Sequence, residues 1–205
     1  MTTLSIIGDQ DILTRQAAHL ANVIGYRSIE VFSDAQHPAL AADVIQRPRS
    51  AFAANAKQTE HVFYALLDPQ ARSTALIAHR HGELINLIHP SAVVSPTAEL
   101  GKNIYVDANS VIGVDAQVAD GVVQNALAAV EHDNRISRCA FLGTGAILCG
   151  HVSLGEFTFI GGGATVKPGT AICANTMVGT GTVVVQNITA AGTYVGNPAR
   201  RMEKS

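Results

Sequence analysis

Residues 142–184 read LGTGAILCGHVSLGEFTFIGGGATVKPGTAICANTMVGTGTVV, and an aliphatic residue returns at every sixth position: Leu142, Leu148, Leu154, Ile160, Val166, Ile172, Val178 and Val184. The same count runs backwards through Ile136, Val130, Gln124, Val118, Ile112, Val106, Leu100 and Val94 to Ile88, with Gln124 as the one polar interruption. The residue after the aliphatic is often glycine (Gly101, Gly113, Gly143, Gly155, Gly161, Gly179), and the fourth after it is small or β-branched (Ala98, Ala116, Ala140, Ala164, Thr176). A helix repeats every 3.6 residues and a strand every 2, so neither produces this period. A fixed six-residue repeat predicts a parallel β-helix, in which short strands meet at corners and each coil stacks on the one before.

Outward from the repeat, the first 88 residues have a different rhythm. Apolar runs predict strands over 4–7, 28–32, 61–67 and 84–88, and helical periodicity predicts helices over 11–24 and 69–80. Gly25 is a helix stop, and Pro38 and Pro48 break an irregular stretch between them. Strands alternating with helices predict a small parallel α/β domain over 1–88, Rossmann-like in topology, followed by a β-helix domain over 89–205.

Composition narrows the function classes. The net charge is −2 with no basic block, which argues against a nucleic-acid partner. No apolar run has membrane length, and the N-terminal residues lack the pattern of a secretory signal. Cys139, Cys149 and Cys173 form no CxxC motif, and an odd number of scattered cysteines suits reduced thiols in a cytoplasm.

The order of parts is a small α/β domain, HPSAVVSPTAELG at 89–101, VEHDNRIS at 130–137, the long repeat, and GNPAR at 196–200. It resembles the hexapeptide-repeat nucleotide-sugar N-acetyltransferases of the bacillosamine and sialic-acid type. That resemblance implies a left-handed β-helix of triangular coils, three hexapeptides each. Residues 18 apart are then stacked about 4.8 Å apart in neighbouring coils. It also implies a homotrimer with acetyl-CoA, as cosubstrate, in the groove between protomers, and no metal. The expected reaction is acetyl transfer to the amine of a nucleotide-linked sugar, with a UDP-4-amino-4,6-dideoxy sugar as the expected acceptor. Other acceptors or acyl donors, and a non-catalytic trimeric paralogue, are the alternatives.

The resemblance also implies roles for individual residues. His132 lies two after the interior position Val130 and should face outward. It is the expected general base, with Asp133 orienting the ring. Gly150, 18 residues on, is the expected oxyanion donor through its N–H. Asn125 matches a polar position near the acceptor sugar. Phe141, Gly162 and Thr180 fall at cofactor-contact positions, Phe141 where the family commonly has histidine. Pro198 and Arg200 belong to the ending that resembles the family's G-x-P-A-K/R, with Arg200 or Arg201 available to CoA phosphates. Asp34 matches an acidic position that meets the nucleoside.

The phosphate loop departs from the family. Where the family has a glycine-rich turn, this chain reads Gly8, Asp9, Gln10 and Asp11. Two carboxylates stand where a diphosphate would approach, so either the sugar nucleotide binds differently or the acceptor differs. The γ-class carbonic anhydrases share the coil and bind zinc with three histidines. Here His132 and His151 are neighbours without a third coil histidine close by, and His19, His37, His61, His79 and His81 lack ligand spacing.

Overall fold

A computed structural model describes residues 2–9, 12–35, 40, 44–55 and 59–203. Gln10, Asp11, His37 and Pro38 lie outside the described residues. The chain divides into two compact units, Met1–Pro90 and Ser91–Ser205.

The first unit is a parallel sheet with helices. Its elements run β1 (Thr3–Gly8), α1 (Ile12–Val23), β2 (Ser28–Phe32), β3 (Val44–Arg47), α2 (Phe52–Asn55), β4 (His61–Ala65), α3 (Pro69–Ala78), β5 (Glu83–Leu84) and β6 (Leu87–Ile88). The sheet order is β3-β2-β1-β4-β5, all parallel. The chain leaves β1 in one direction for β2 and β3, then returns to β4 on the other side. The carboxyl ends of β1 and β4 therefore form the switch point where an open α/β sheet holds its ligands. The core is apolar: Leu4, Ile6, Val31, Phe32, Val62, Phe63, Leu13 and Leu20 are almost fully buried. β3 and α2 lie in the stretch whose sequence carries no clear period. Strand β3 is an edge strand with only half-buried or exposed residues, so no alternation marked it.

The second unit is a β-solenoid of two-residue rungs. Three parallel sheets run along it. The first face carries Val93–Val94, Val111–Ile112, Ala129–Val130, Ile147–Leu148, Thr165–Val166 and Val183–Val184. The second carries Glu99–Leu100, Gln117–Val118, Arg135–Ile136, Ser153–Leu154 and Ala171–Ile172. The third includes Tyr105–Val106, Val123–Gln124, Phe141–Leu142, Phe159–Ile160 and Met177–Val178. Every pairing among these rungs joins residues 18 apart, such as Ala129 with Ile147 and Phe141 with Phe159.

The second residue of each rung points inward. From Val106 to Val184 none of these side chains is more than 3% exposed. Gln124 obeys the rule as well, because its amide donates to the carbonyls of Val111 and Ala128 at 3.0 and 2.8 Å. A polar group in the interior is tolerated once it is paired. The glycine after the aliphatic has a steric cause. A Cβ on Gly143 or Gly161 would lie 2.6 Å from the backbone nitrogen of the next coil's corner, at Gly162 or Thr180. From Asn103 to Gly181 each corner also holds one left-handed residue, among them Asp115, Asp133 and His151.

Among the described residues no helix is long and apolar enough to cross a membrane.

Candidate active site

The corner between the first and second faces is a ladder of turns, and 113–116, 131–134, 149–152 and 167–170 are four of its steps. In each step the third residue has the left-handed backbone: Asp115, Asp133, His151 and Gly169. The second residues are Val114, His132, Gly150 and Pro168, all exposed except Gly150, which is buried. The steps are tied by backbone bonds from Asp133 N to Val114 O (2.9 Å), His151 N to His132 O (3.0 Å) and Gly169 N to Gly150 O (3.0 Å). The repeat thus stacks Gly150 on His132 and His151 on Asp133.

His132 Nδ1 lies 2.8 Å from Asp133 Oδ2. With a proton on Nδ1 donated to that carboxylate, Nε2 is left with its lone pair free. The other end of the ring lies over Gly150: a Cβ there would be 2.5 Å from Nε2. Glycine at 150 is what makes room for the imidazole. The ladder uses the N–H groups of Cys149 and His151, whereas the Gly150 N–H takes no partner among the described residues. A lone pair and a free N–H therefore stand at the same corner, one coil apart.

His151 adds what its sequence position did not reveal. Its Nε2 is 3.7 Å from the same Asp133 oxygen, and its ring meets His132 edge-on at 5.2 Å between centroids. The hydrogen bond from His132 holds the Asp133 carboxyl below the usual carboxylate range, and the His151 charge acts in the same direction. His132, Asp133 and His151 offer three possible ligand atoms within 4.8 Å of one another. Of these groups, His132 Nδ1 and Asp133 Oδ2 are already joined to each other by the hydrogen bond. Cys149, beside Gly150, has its thiol pushed up by burial and then by Glu131, so it is protonated at neutral pH and a poor nucleophile.

The remaining coil residues expected at the site lie elsewhere on the prism. Asn125, Gly162 and Thr180 belong to the corner between the third and first faces, and Phe141 stands on the third face. Phe141 stacks on Phe159 with ring centroids 4.8 Å apart. Within one chain these residues do not join the His132 corner. At the C-terminal end Pro198 follows a cis peptide, and Arg200 and Arg201 line a cavity of about 310 Å³ with Gln186, Asn187 and Tyr194.

At the end of β1 a Cβ on Gly8 would lie 2.6 Å from Thr14 Cγ2, so α1 packs closely on the strand there. Thr14 Oγ1 donates to the carbonyl of Asp9 at 3.0 Å. Asp9 is not a bare carboxylate: Arg49 Nη1 sits 2.6 Å from its Oδ1. Asp34 Oδ1 accepts the backbone N–H of Arg49 at 3.0 Å. Arg49, unremarked in the sequence, gathers two of the expected nucleotide-site residues. At the end of β4, Asp68 caps α3 through the Ala71 N–H, and the buried Arg72 donates to the carbonyls of Leu66 and Leu67.

No family model matches the chain. PerB of Caulobacter crescentus, solved in complex with CoA and GDP-perosamine, is 31% identical, with a TM-score of 0.89 over 99% of this chain and 98% of that one. The acetyltransferase domain of PglB from Neisseria gonorrhoeae, solved also with acetyl coenzyme A, is 28% identical. Its TM-score is 0.90 over 98% of this chain and all of that one. An acyl-[acyl-carrier-protein]–UDP-N-acetylglucosamine O-acyltransferase of Sinorhizobium fredii is 25% identical over 130 residues, or 54% of this chain. The chain spans about half the length of that curated relative (48%). With an acetyltransferase fold matched end to end and the six-residue register intact, the chain belongs to the hexapeptide-repeat, left-handed β-helix family of nucleotide-sugar N-acetyltransferases.

Proposed function

We propose that this chain transfers the acetyl group of acetyl-CoA to the amine of a nucleotide-linked 4-amino sugar. The observation that carries the reading is the His132–Asp133 pair beside the free Gly150 N–H. The neutral amine attacks the thioester carbonyl carbon. His132 Nε2 takes the proton that the nitrogen sheds, and Asp133 stabilises the resulting imidazolium. The carbonyl electron pair moves onto oxygen and is met by the Gly150 N–H. When it returns, the carbon–sulfur bond breaks and CoA leaves as thiolate, which the imidazolium can protonate. The transfer is direct, and the protonated Cys149 takes no part in it.

Acceptor recognition falls to the N-terminal unit, which we read as a Rossmann-like substrate domain over residues 1–88. The acidic Asp34, Arg49 and the β1 loop stand at its switch point. PerB was solved with a GDP-linked sugar, whereas our sequence reading favours UDP. The diphosphate and the sugar amine are the shared chemistry.

A homotrimer suits the coil. The outward side chains of the first face (Val93, Val111, Ile147) and the third (Phe159, Met177) are exposed and apolar, while the second presents Glu99, Gln117 and Arg135. Two apolar faces and one charged face fit a prism with a neighbour on each of two sides. A neighbour would also bring an Asn125–Gly162–Thr180 corner to a His132 corner, which one chain cannot do. The free thiols of Cys149 and Cys173 suit a cytoplasmic setting.

The test is a panel of UDP- and GDP-linked 4-amino sugars with acetyl-CoA, watched for free thiol. Thiol release with one such sugar, and an N-acetyl product, is the expected result. Acylation of a hydroxyl instead would favour the O-acyl chemistry named for the Sinorhizobium relative. Acetyl-CoA binding without release on any sugar would leave the non-catalytic reading.

A further inference from the structure

The innermost position of the catalytic corner is occupied by small or apolar residues in the neighbouring steps, Ala98, Ala116 and Val152, and by Asn134 in the step that carries His132. Asn134 is completely buried. Its Nδ2 donates to the Glu131 carbonyl at 3.0 Å and to the Leu148 carbonyl at 3.2 Å. Its Oδ1 accepts the Val152 N–H at 2.6 Å.

The four residues involved are not arbitrary. Glu131 and Asn134 bracket His132 and Asp133, and Leu148 and Val152 bracket Cys149, Gly150 and His151. At other steps a backbone N–H closes the turn, from Ala98 to Ser95 O at 3.0 Å and from Ala116 to Gly113 O at 3.4 Å. In this step a side-chain amide reaches the carbonyl and then crosses to the next coil. The ordinary ladder already holds the coils about one strand spacing apart. The amide adds a second tie between the two turns, on the inner side, beside the bond from His151 N to the His132 carbonyl.

We propose that Asn134 is a positioning residue that fixes the height of the Gly150 N–H over the His132 ring. The inference rests on the reading of His132 as base and Gly150 as oxyanion donor. Placement matters there because an error of about 1 Å in a reacting geometry can cost about 10²-fold in rate.

The experiment compares Asn134→Ala and Asn134→Ser with the full-length parent, alone and combined with Gly150→Ala. Expected is a fall of about 10–100-fold in kcat, with the KM for acetyl-CoA and the pH midpoint of the acid limb unchanged. In the Gly150→Ala background the same change should have little further effect, because no well-placed oxyanion donor remains to be moved. A merely structural role predicts equal losses in both backgrounds, or a lower Tm with kcat intact, and either overturns the inference. A second readout is independent of activity. The Gly150 amide and His132 ring signals in NMR spectra of the folded Asn134→Ser protein should shift from those of the parent. Signals that stay in place overturn the inference, even if Asn134→Ala fails to fold. A parent inactive on every amino sugar would remove the acetyltransferase reading, and the NMR comparison would still decide the placement.

Discussion

Gly8 and Gly150 are both glycines because a neighbouring side chain fills the space of a Cβ, yet they serve opposite ends. At Gly8 the neighbour is Thr14 of α1, which packs on the strand and bonds to the turn. The space is taken by the helix that follows. At Gly150 the neighbour is the His132 ring, more than half exposed, and the glycine N–H remains free. One glycine gives packing and the other gives room for a reactive group. The difference teaches that a glycine in the expected place says nothing about ligands until the occupant of its missing Cβ is known.

The sharpest break of this comparison is at the ring itself. His132→Ala should lower kcat by about 10²–10⁴-fold while acetyl-CoA still binds. Asp133→Asn tests the electrostatics of the pair. The carboxylate orients the ring and stabilises the imidazolium formed in the reaction, so its removal should lower kcat by as much as His132→Ala does. A kcat that holds in Asp133→Asn would show that Asp133 does not act on His132.

The two glycines can then be changed in parallel. Gly150→Ala pushes a methyl group into the imidazole and should cost about 10²–10³-fold in kcat, the range seen when an oxyanion donor is lost. Gly8→Ala overpacks against Thr14 and should cost about 1–3 kcal/mol of stability. Its kcat per folded molecule should hold. Denaturation and rate assays on the two variants would collapse the comparison if both lost activity alike, or both lost only stability.

The smallest effect concerns the charge of Asp9 and Arg49. Arg49→Ala leaves Asp9 without its partner, so the acceptor KM should rise by about tenfold, which corresponds to about 1.4 kcal/mol. Asp9→Ser should do the reverse by freeing Arg49 for a diphosphate. Both shifts should shrink at high salt, since exposed charges are screened. If neither variant changes the KM for UDP- or GDP-linked sugars, the loop does not face the phosphates. Non-nucleotide amines would then be the place to look.

The coil was legible because its rule is short-range and repeated. A six-residue count assigned the interior and placed Gly150 beside His132. The same addition puts His151 on Asp133, but a count of positions cannot say where two exposed side chains turn. Asn134 also left a signal, a polar residue where the neighbouring corners have alanine or valine, and only the side-chain bonds explain it. Arg49 left none. Its meeting with Asp9 spans 40 residues and an irregular stretch, where no period relates one end to the other. At the Gly8 loop the sequence shows two acids and hides the cation that joins Asp9.

A triangular coil also gives the chain a phase. Remove 18 residues from within the coil and the solenoid loses one strand spacing, about 4.8 Å, while every remaining side chain keeps its face. Remove 6 from within it and the residues beyond the cut pass to the next face, so that His132 and a residue on the far side of the cut would part by one corner. Remove 1 and the count of six is broken at that coil, where the turn must absorb the missing residue to keep the aliphatics beyond it inside. Length in this protein is therefore quantised in whole coils. The gap between the His132 corner and the C-terminal Arg200 can change only in steps of that pitch if both are to serve one ligand.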